Sequence, residues 1–530
     1  MSHSPRRFAG IVVLCFAAAC CWLTATAAPA SAHAVVVSSS PADGSHLDEG
    51  PATVSVELNE PVSIVAGSAS ILGANGTRAT LRSAQLTDGG RRVVLTPAHP
   101  PGDGAYLATV RVVSADTHVV SLAVRFTVGS VTELGAMPAP QNATPTTDTI
   151  GGLLAKVAVY AGTVLTAGLL LAARWVWPET PALPRFRRTY RIGSAVLVAG
   201  LAARLILLAR QQSGGAGWSV PGWTTVLDGK VGIALAAAAA TAVAAGLCPP
   251  GTRWPTQLLG YLGGACAIVS ITLAGHGGAG GRWPYSLVAT LAHVYTASVW
   301  LGGIALLAAL RPAPLRIERW HRVVVGHLVV LAASGVTLAF LQVAPLKALV
   351  HTAYGLTLTA KVAAVACTVV AGYGVLRTYR RRRVPAEGGG RRRLLLVECA
   401  LAVIVMSLTS ILSSLTPARD SFDESVTAHL DFGNSQRLDV RIDSIRRGEQ
   451  GLTVVDPAPA GTTPTVDVEL SSADANVARL PVDLTESRTP RGHTWRSRDL
   501  IVPAAGHWRV TVRLDGTQGP RLASFSYRVR

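Results

Sequence analysis

The sequence predicts a mixed multidomain membrane protein: an exported β-sandwich, an eight-helix transmembrane α-bundle and a second exported β-sandwich at the C-terminus. Three patterns predict it. Short period-two runs broken by turn residues fill about residues 33–128 and return over about 418–530. Between them lie eight apolar stretches long enough to cross a bilayer. The arginines then cluster on alternate sides of those stretches, as a fixed membrane topology requires. Composition agrees, because 49% of the 530 residues are hydrophobic, high for a soluble chain. The net charge of +18 would also suit nucleic acid. No zinc finger, RNP motif or basic-aromatic patch accompanies that charge, so the partner it implies is the lipid bilayer and no nucleic acid.

Residues 1–32 read as a secretory signal peptide: Arg6 and Arg7, an apolar run from Ile11 to Leu23, then Ala30-Ser31-Ala32 as the small-residue cleavage pattern. Cutting there leaves His33 with a free α-amino group. That amine and the imidazole Nδ1 of the same residue can chelate one metal ion. Exported chains begin with many residue types, so an incidental histidine is the competing reading. Cys15, Cys20 and Cys21 leave with the signal peptide, and Cys248, Cys266, Cys367 and Cys399 lie in apolar segments. The exported portions therefore carry no disulfide.

Over residues 33–128, Val54-Ser55-Val56-Glu57-Leu58 and Ala105-Tyr106-Leu107-Ala108-Thr109-Val110 alternate, with turn signals at Pro41-Ala42-Asp43-Gly44 and Asp88-Gly89-Gly90. Several short strands at this spacing predict a β-sandwich. Within it, Asp116 and His118 are two apart, so on an extended strand they share a face and can converge on one ion. With His33 they offer an amine, two imidazoles and a carboxylate, a tetragonal N/O set that suits Cu(II). Taken alone, Asp116-x-His118 also fits a turn cap beside a surface histidine. His46 and His99 have no partner at ligand spacing and are expected on the surface.

His33-Ala34, Ser40-Pro41-Ala42-Asp43-Gly44, Asn59-Glu60-Pro61-Val62 and Ser114-Ala115-Asp116-Thr117-His118 together resemble, in order and spacing, the CopC copper-binding domain. The resemblance implies a β-sandwich holding Cu(II) through His33, Asp116 and His118, with Glu60 beside the site as a weak ligand or as a partner of the ligands. No methionine lies between His33 and Gly129, so the methionine-rich Cu(I) site of some family members is not expected.

Residues 129–148 lack periodicity and read as a flexible linker. The predicted spans are 151–174, 190–210, 228–248, 256–275, 286–310, 323–343, 355–376 and 394–416, within a membrane domain of residues 149–417. If the first β domain is outside, the loops after spans one, three, five and seven are cytoplasmic, and those hold eighteen arginines. The opposite loops and helix edges hold Arg210, Lys230, Arg282 and Lys347. This bias supports eight spans in the plasma membrane, with both β domains on the extracytoplasmic side.

Ionisable side chains inside a membrane mark candidate sites. His276 ends the fourth span, His293 lies in the fifth seven residues before Trp300-Leu301-Gly302-Gly303, His327 lies in the sixth, and His351 precedes the seventh. Lys361 and Glu398 lie within the last two. Hydrogen bonding to a neighbouring helix is the competing reading for each histidine, and a structural ion pair for Lys361 with Glu398. Gly302 and Gly303 are expected to be close-packing surfaces. His293…Trp300-Leu301-Gly302-Gly303, Ser334-Gly335, Tyr354-Gly355…Lys361 and Glu398…Pro417 resemble the CopD copper-resistance membrane domain. A copper-transfer role for the intramembrane histidines is what that resemblance implies.

In residues 418–530, alternating runs such as Val466-Asp467-Val468-Glu469-Leu470 and Trp508-Arg509-Val510-Thr511-Val512 predict the second sandwich. His429, His493 and His507 show no ligand spacing there. The two resemblances imply a non-enzymatic protein that captures Cu(II) outside the cell and passes copper to or across the membrane, with exported copper-binding proteins as partners. Two alternatives remain open on the residues alone. An N-terminal histidine with a second histidine also resembles copper monooxygenases, although Asp116 fills a position that oxygen chemistry would want open. The bundle histidines could also bind haem, with His276, His293 or His327 as axial ligands.

Overall fold

A computed structural model describes residue 34 and residues 36–530 apart from 59–60, 75, 115–118, 132–145, 214–219, 276–283, 311–315, 382–388, 434–435, 447, 457–464, 490–491, 498–499 and 517–518. The predicted signal peptide, most of the predicted linker, and the candidates His33, Glu60, Asp116, His118 and His276 lie outside the described residues.

The N-terminal domain is two sheets on one core. One has the order β1 (Val36–Ser40), β3 (Val54–Leu58), β8 (Arg92–Pro97), β7 (Leu81–Thr87). The other runs β2 (Ser45–Leu47), β10 (Val119–Val128), β9 (Gly104–Ser114), β5 (Ser70–Gly73), β6 (Arg78–Ala79), with β4 (Val62–Ile64) also on β9. Period-two alternation sets the inward faces: Val54, Val56 and Leu58 of β3 meet Val110, Leu122, Val124 and Phe126 of β9 and β10 in one apolar cluster. The Pro41-Ala42-Asp43-Gly44 turn is a clasp. Asp43 Oδ1 accepts the backbone N–H of Arg125 at 2.7 Å, and its carboxylate pairs with the Arg125 guanidinium.

Among the described residues, seven helices are long and apolar enough to cross a membrane. They are α1 (Asp148–Val176), α2 (Pro184–Gln212), α3 (Lys230–Leu247), α4 (Trp254–Leu273), α5 (Tyr285–Ala309), α6 (Ile317–Gln342) and α7 (Ala353–Arg381). A further helix, α8 (Gly389–Leu412), is apolar over the shorter stretch Leu396–Leu412. Small residues let these helices approach closely. A Cβ on Gly302 of α5 would fall on the backbone of Gly168, in a π-turn of α1, and one on Gly303 would fall on the Trp320 ring. The Trp300-Leu301-Gly302-Gly303 glycines are thus packing surfaces, as expected.

The C-terminal domain repeats the two-sheet plan. Its sheets are β11 (Val426–Asp431), β12 (Arg437–Ile442), β14 (Leu452–Asp456), β18 (Gly492–Ser497), β17 (Leu484–Thr489) and β16 (Val477–Val482), β15 (Thr465–Ser472), β20 (Gly506–Gly516), β21 (Gly519–Val529). Trp495 and Trp508 are buried in their shared core. β13 (Gly448–Glu449) and β19 (Ile501–Val502) form a separate short antiparallel pair.

Both β domains touch the same end of the helical region. Val65 and Val113 of the first pack with Leu208 and Ala209 at the C-terminal end of α2 and with Val226 of the short helix Val220–Asp228. Ala418 and Phe422, leading into the second, pack with Val343 and Ala348 after α6. Lys347 and Glu424 form an ion pair at 2.9 Å across that junction, and the hydrogen bond from Lys347 holds the Glu424 carboxyl below its usual range.

Candidate functional site

The sequence places its metal candidates in two groups, one on the first β domain and one within the helices. For the first group the described residues fix only the flanks. Glu60 falls between β3, ending at Leu58, and β4, starting at Val62; Asp116 and His118 fall between β9, ending at Ser114, and β10, starting at Val119. The pairings Val36↔Leu58, Val62↔Ser114 and Val119↔Val113 bring those strand ends together, and Ala34, next to His33, is buried in the same core as Val62. Each candidate is therefore one to three residues along the chain from a described residue at one end of this domain. That is also the end that touches α2, because Val113 belongs to both arrangements.

His46 and His99 are exposed, as expected, and His46 Nδ1 lies 3.0 Å from Thr127 Oγ1. In the C-terminal domain each histidine meets one carboxylate: His429 with Asp439 at 2.6 Å, His493 with Glu486 at 3.1 Å, His507 with Asp474 at 3.0 Å. Asp474 accepts both the backbone and the ring N–H of His507, and these bonds hold its carboxyl low. One imidazole with one carboxylate falls short of a metal site, and among the described residues no group of three or more His, Cys, Asp or Glu is arranged to hold an ion.

Within the helices, His293 Nδ1 lies 3.2 Å from Ser334 Oγ on α6. The Ser334 hydroxyl donates to the Leu331 carbonyl at 3.0 Å, so it accepts from His293, whose Nε2 then carries the lone pair. Gly335 makes room for the ring, since a Cβ there would sit 3.2 Å from His293 Cε1. The Ser334-Gly335 pair singled out from sequence thus orients His293. His327 Nδ1 donates to the Val323 carbonyl at 2.7 Å, which again leaves Nε2 as the free acceptor. Its ring lies 6.0 Å from that of Trp175 and 5.8 Å from that of Tyr295. His351 is exposed on the short helix Ala348–His351, 6.4 Å ring to ring from Phe422.

Helix geometry decides whether these histidines share an ion. Ser334, which holds His293, is two turns from His327 on α6, a rise of about 10 Å. Two ring nitrogens on one metal stand only about 3–4 Å apart. His293 and His327 therefore do not share one ion and cannot be the two axial ligands of one haem. His293 lies about 12 Å from the α5 end beneath the β domains, and His327 about 22 Å from the corresponding end of α6.

Lys361 and Glu398 do not pair. Glu398 Oε1 sits against Gly372, 2.6 Å from where its Cβ would be, and eleven residues separate Gly372 from Lys361 on α7, about 16 Å of rise. Sequence reading passed over two other buried cations, Lys156 of α1 and Arg204 of α2. A charged residue in an apolar run was the signal that would have found them.

Comparison with known proteins follows this layout. Residues 36–129 match the family model of the CopC domain, and residues 315–412 match that of copper resistance protein D. The copper transport protein CutJ of Bacillus subtilis (strain 168) is 24% identical over 520 residues, which cover 91% of this chain and 93% of that protein. CopC from Methylosinus trichosporium OB3b is 28% identical over 18% of this chain and 93% of its own, with a TM-score of 0.17. PcoC, a methionine-rich copper resistance protein from Escherichia coli, is 27% identical over 18% of this chain and 99% of its own, with a TM-score of 0.16.

Proposed function

We propose that this chain, matched by the CopC and CopD family models and similar along most of its length to a copper transport protein, is a copper carrier of the plasma membrane. In this reading its first β domain captures Cu(II) outside the cell through His33, Asp116 and His118, with Glu60 alongside. The bundle, read as eight spans, then receives the ion and passes it along His293 and His327. The relatives' names speak of transport and resistance, and we read the chain as a carrier rather than an enzyme. That both β domains touch one end of the helices, with the arginine-rich loops assigned to the other, favours an extracytoplasmic position for both.

The observation that carries the hand-off is the seat of the first domain. Val113 packs on Leu208, Ala209 and Val226, and Asp116 follows it by three residues. Ala209→Asp would place a charge under that seat without touching a ligand candidate. Its expected result is an unchanged Cu(II) titration with copper movement by intact cells at least several-fold slower. Unchanged movement would sink the hand-off; a changed titration would show that the seat shapes the site itself.

The ligand set also fixes the pH response. Copper must displace protons from an α-amine whose ordinary pKa is about 8 and from imidazoles near about 6.5. Protonation competes with the metal, so Cu(II) affinity falls as pH drops below about 6. Titrations at about pH 5 and pH 7.5 check this, and equal affinities would remove the amine and imidazoles from the ligand set.

A further inference from the structure

Glu398 of α8 is a buried carboxyl that the copper path leaves unused. It is 6% exposed, and its Oε1 occupies the space that Gly372 of α7 leaves by lacking a side chain. Among the described residues no cation pairs with it and no hydrogen-bond donor reaches it. Thr368, one turn before Gly372 and also buried, donates its hydroxyl to the Ala364 carbonyl at 2.8 Å instead.

The titratable groups on the three helices packed against α8 face elsewhere or stand apart. On α7, Lys361 lies about 16 Å along the helix from Gly372, and Cys367, Tyr373 and Arg377 are exposed. On α5, Tyr285 is exposed, while His293 turns to Ser334 and Tyr295 to His327, both on α6. On α1, Asp148 faces Arg210 and Arg174 is exposed. Lys156 and Tyr160 of α1 reach Ser414 and Ser413, about 22 Å along the chain axis from Glu398. Cys399, the neighbour of Glu398 on α8, packs on the cluster around Trp300. A lone ionised carboxylate in such surroundings is costly, and a carboxyl that keeps its proton is not.

Glu398 also stands level with a copper candidate. It lies five residues beyond Arg393 on α8, and His327 lies five beyond Arg322 on α6, so each is about 8 Å inside the arginine level. Val323, Val324 and Leu328, around His327, pack on the same Trp300 cluster as Cys399 and Ala402, around Glu398. A metal cation brought to that depth needs negative charge nearby, and Glu398 is placed to supply it. We propose that Glu398 holds a proton in the copper-free bundle and gives it up when copper enters, which makes the bundle a copper–proton exchanger. This rests on the carrier reading above. The carboxyl O–H bond breaks, the proton passes to water on the outer side, and the carboxylate left behind offsets one unit of the metal's charge. Once copper has left, a proton from the cytoplasmic side, about 14 Å away at the Gly389 end of α8, restores the neutral carboxyl.

The test uses the full-length protein in phosphatidylcholine membranes. Infrared difference spectra, copper-loaded minus copper-free, should show the loss of a protonated-carboxyl band that shifts in deuterium oxide and is absent from Glu398→Gln. Exported carboxylates such as Asp116 are ionised near about pH 7 and contribute no such loss. In sealed vesicles, an interior about one pH unit more acid than the exterior is a driving force of about tenfold in proton activity. It should speed copper entry several-fold in the unaltered chain and leave Glu398→Gln unaffected. The amide has the shape of the neutral carboxyl, so this variant should fold. Should it not, Gly372→Ala serves instead: its Cβ would stand 2.6 Å from Oε1, the carboxyl must move, and the band should shift. No band loss on copper loading, or equal acceleration in Glu398→Gln, would overturn the proposal. Copper entry indifferent to the gradient in the unaltered chain would overturn it too, while sparing the carrier reading. No copper entry under any gradient would fail the carrier reading itself, and the exchange with it.

Discussion

Full-length protein carrying His118→Ala, with His33 as its first residue, is expected to bind Cu(II) at least about 100-fold more weakly than the unaltered chain. Partners that merely orient metal ligands cost about 10–100-fold when removed, and a lost ligand costs more. Two controls bound the result. His46→Ala and His99→Ala should leave affinity unchanged, because both residues are exposed and His46 already faces Thr127. A protein with one extra residue ahead of His33 should also bind weakly, since the α-amine then becomes an amide. Electron paramagnetic resonance of the Cu(II) titration reads the four altered proteins against the unaltered chain. If His118→Ala binds as tightly as the parent, Asp116-Thr117-His118 is a turn with a surface histidine and the capture step fails.

Gly302→Leu is the substitution expected to damage the helical region most. The new side chain would start on top of the Gly168 backbone, in the π-turn of α1, where no rotamer can relieve the overlap. Overpacking in a closed core costs about 1–3 kcal/mol, and a backbone clash lies at or beyond the upper end. The variant should reach the membrane at a fraction of normal yield, with a clearly lowered midpoint of thermal unfolding. Gly326→Leu on α6 is the matched control: a Cβ at Gly326 meets nothing within 4 Å, so little change is expected. Equal midpoints for the two variants would mean that α1 and α5 are not locked at this crossing.

What the sequence revealed, and what it hid, follows from the range of the signals. The predicted span 190–210 corresponds to Pro184–Gln212 and 286–310 to Tyr285–Ala309, because an apolar run announces itself locally. The β3 alternation was legible for the same reason. The Ser334-Gly335 pair could be singled out, but its task of holding His293 required knowing that α5 and α6 lie side by side. Lys156 and Arg204 escaped notice because one cation barely changes the hydropathy of twenty apolar neighbours. Their burial comes from α1, α2 and the end of α8 meeting across more than two hundred residues of chain. For the copper candidates, the described strands bring the flanks of His33, Glu60, Asp116 and His118 to one end of the sandwich, and the ligand geometry itself is for the titrations above.

The seat of Val65 and Val113 on Leu208, Ala209 and Val226 has a kinetic consequence. Under the proposed hand-off, a donor resting on its acceptor within one polypeptide makes metal exchange unimolecular. Even a flexible tether would hold the two at an effective concentration in the millimolar range, far above what separate carriers reach. The transfer rate should then be independent of how many copies a cell displays, and a free β domain added in trans should compete poorly with the one already in place.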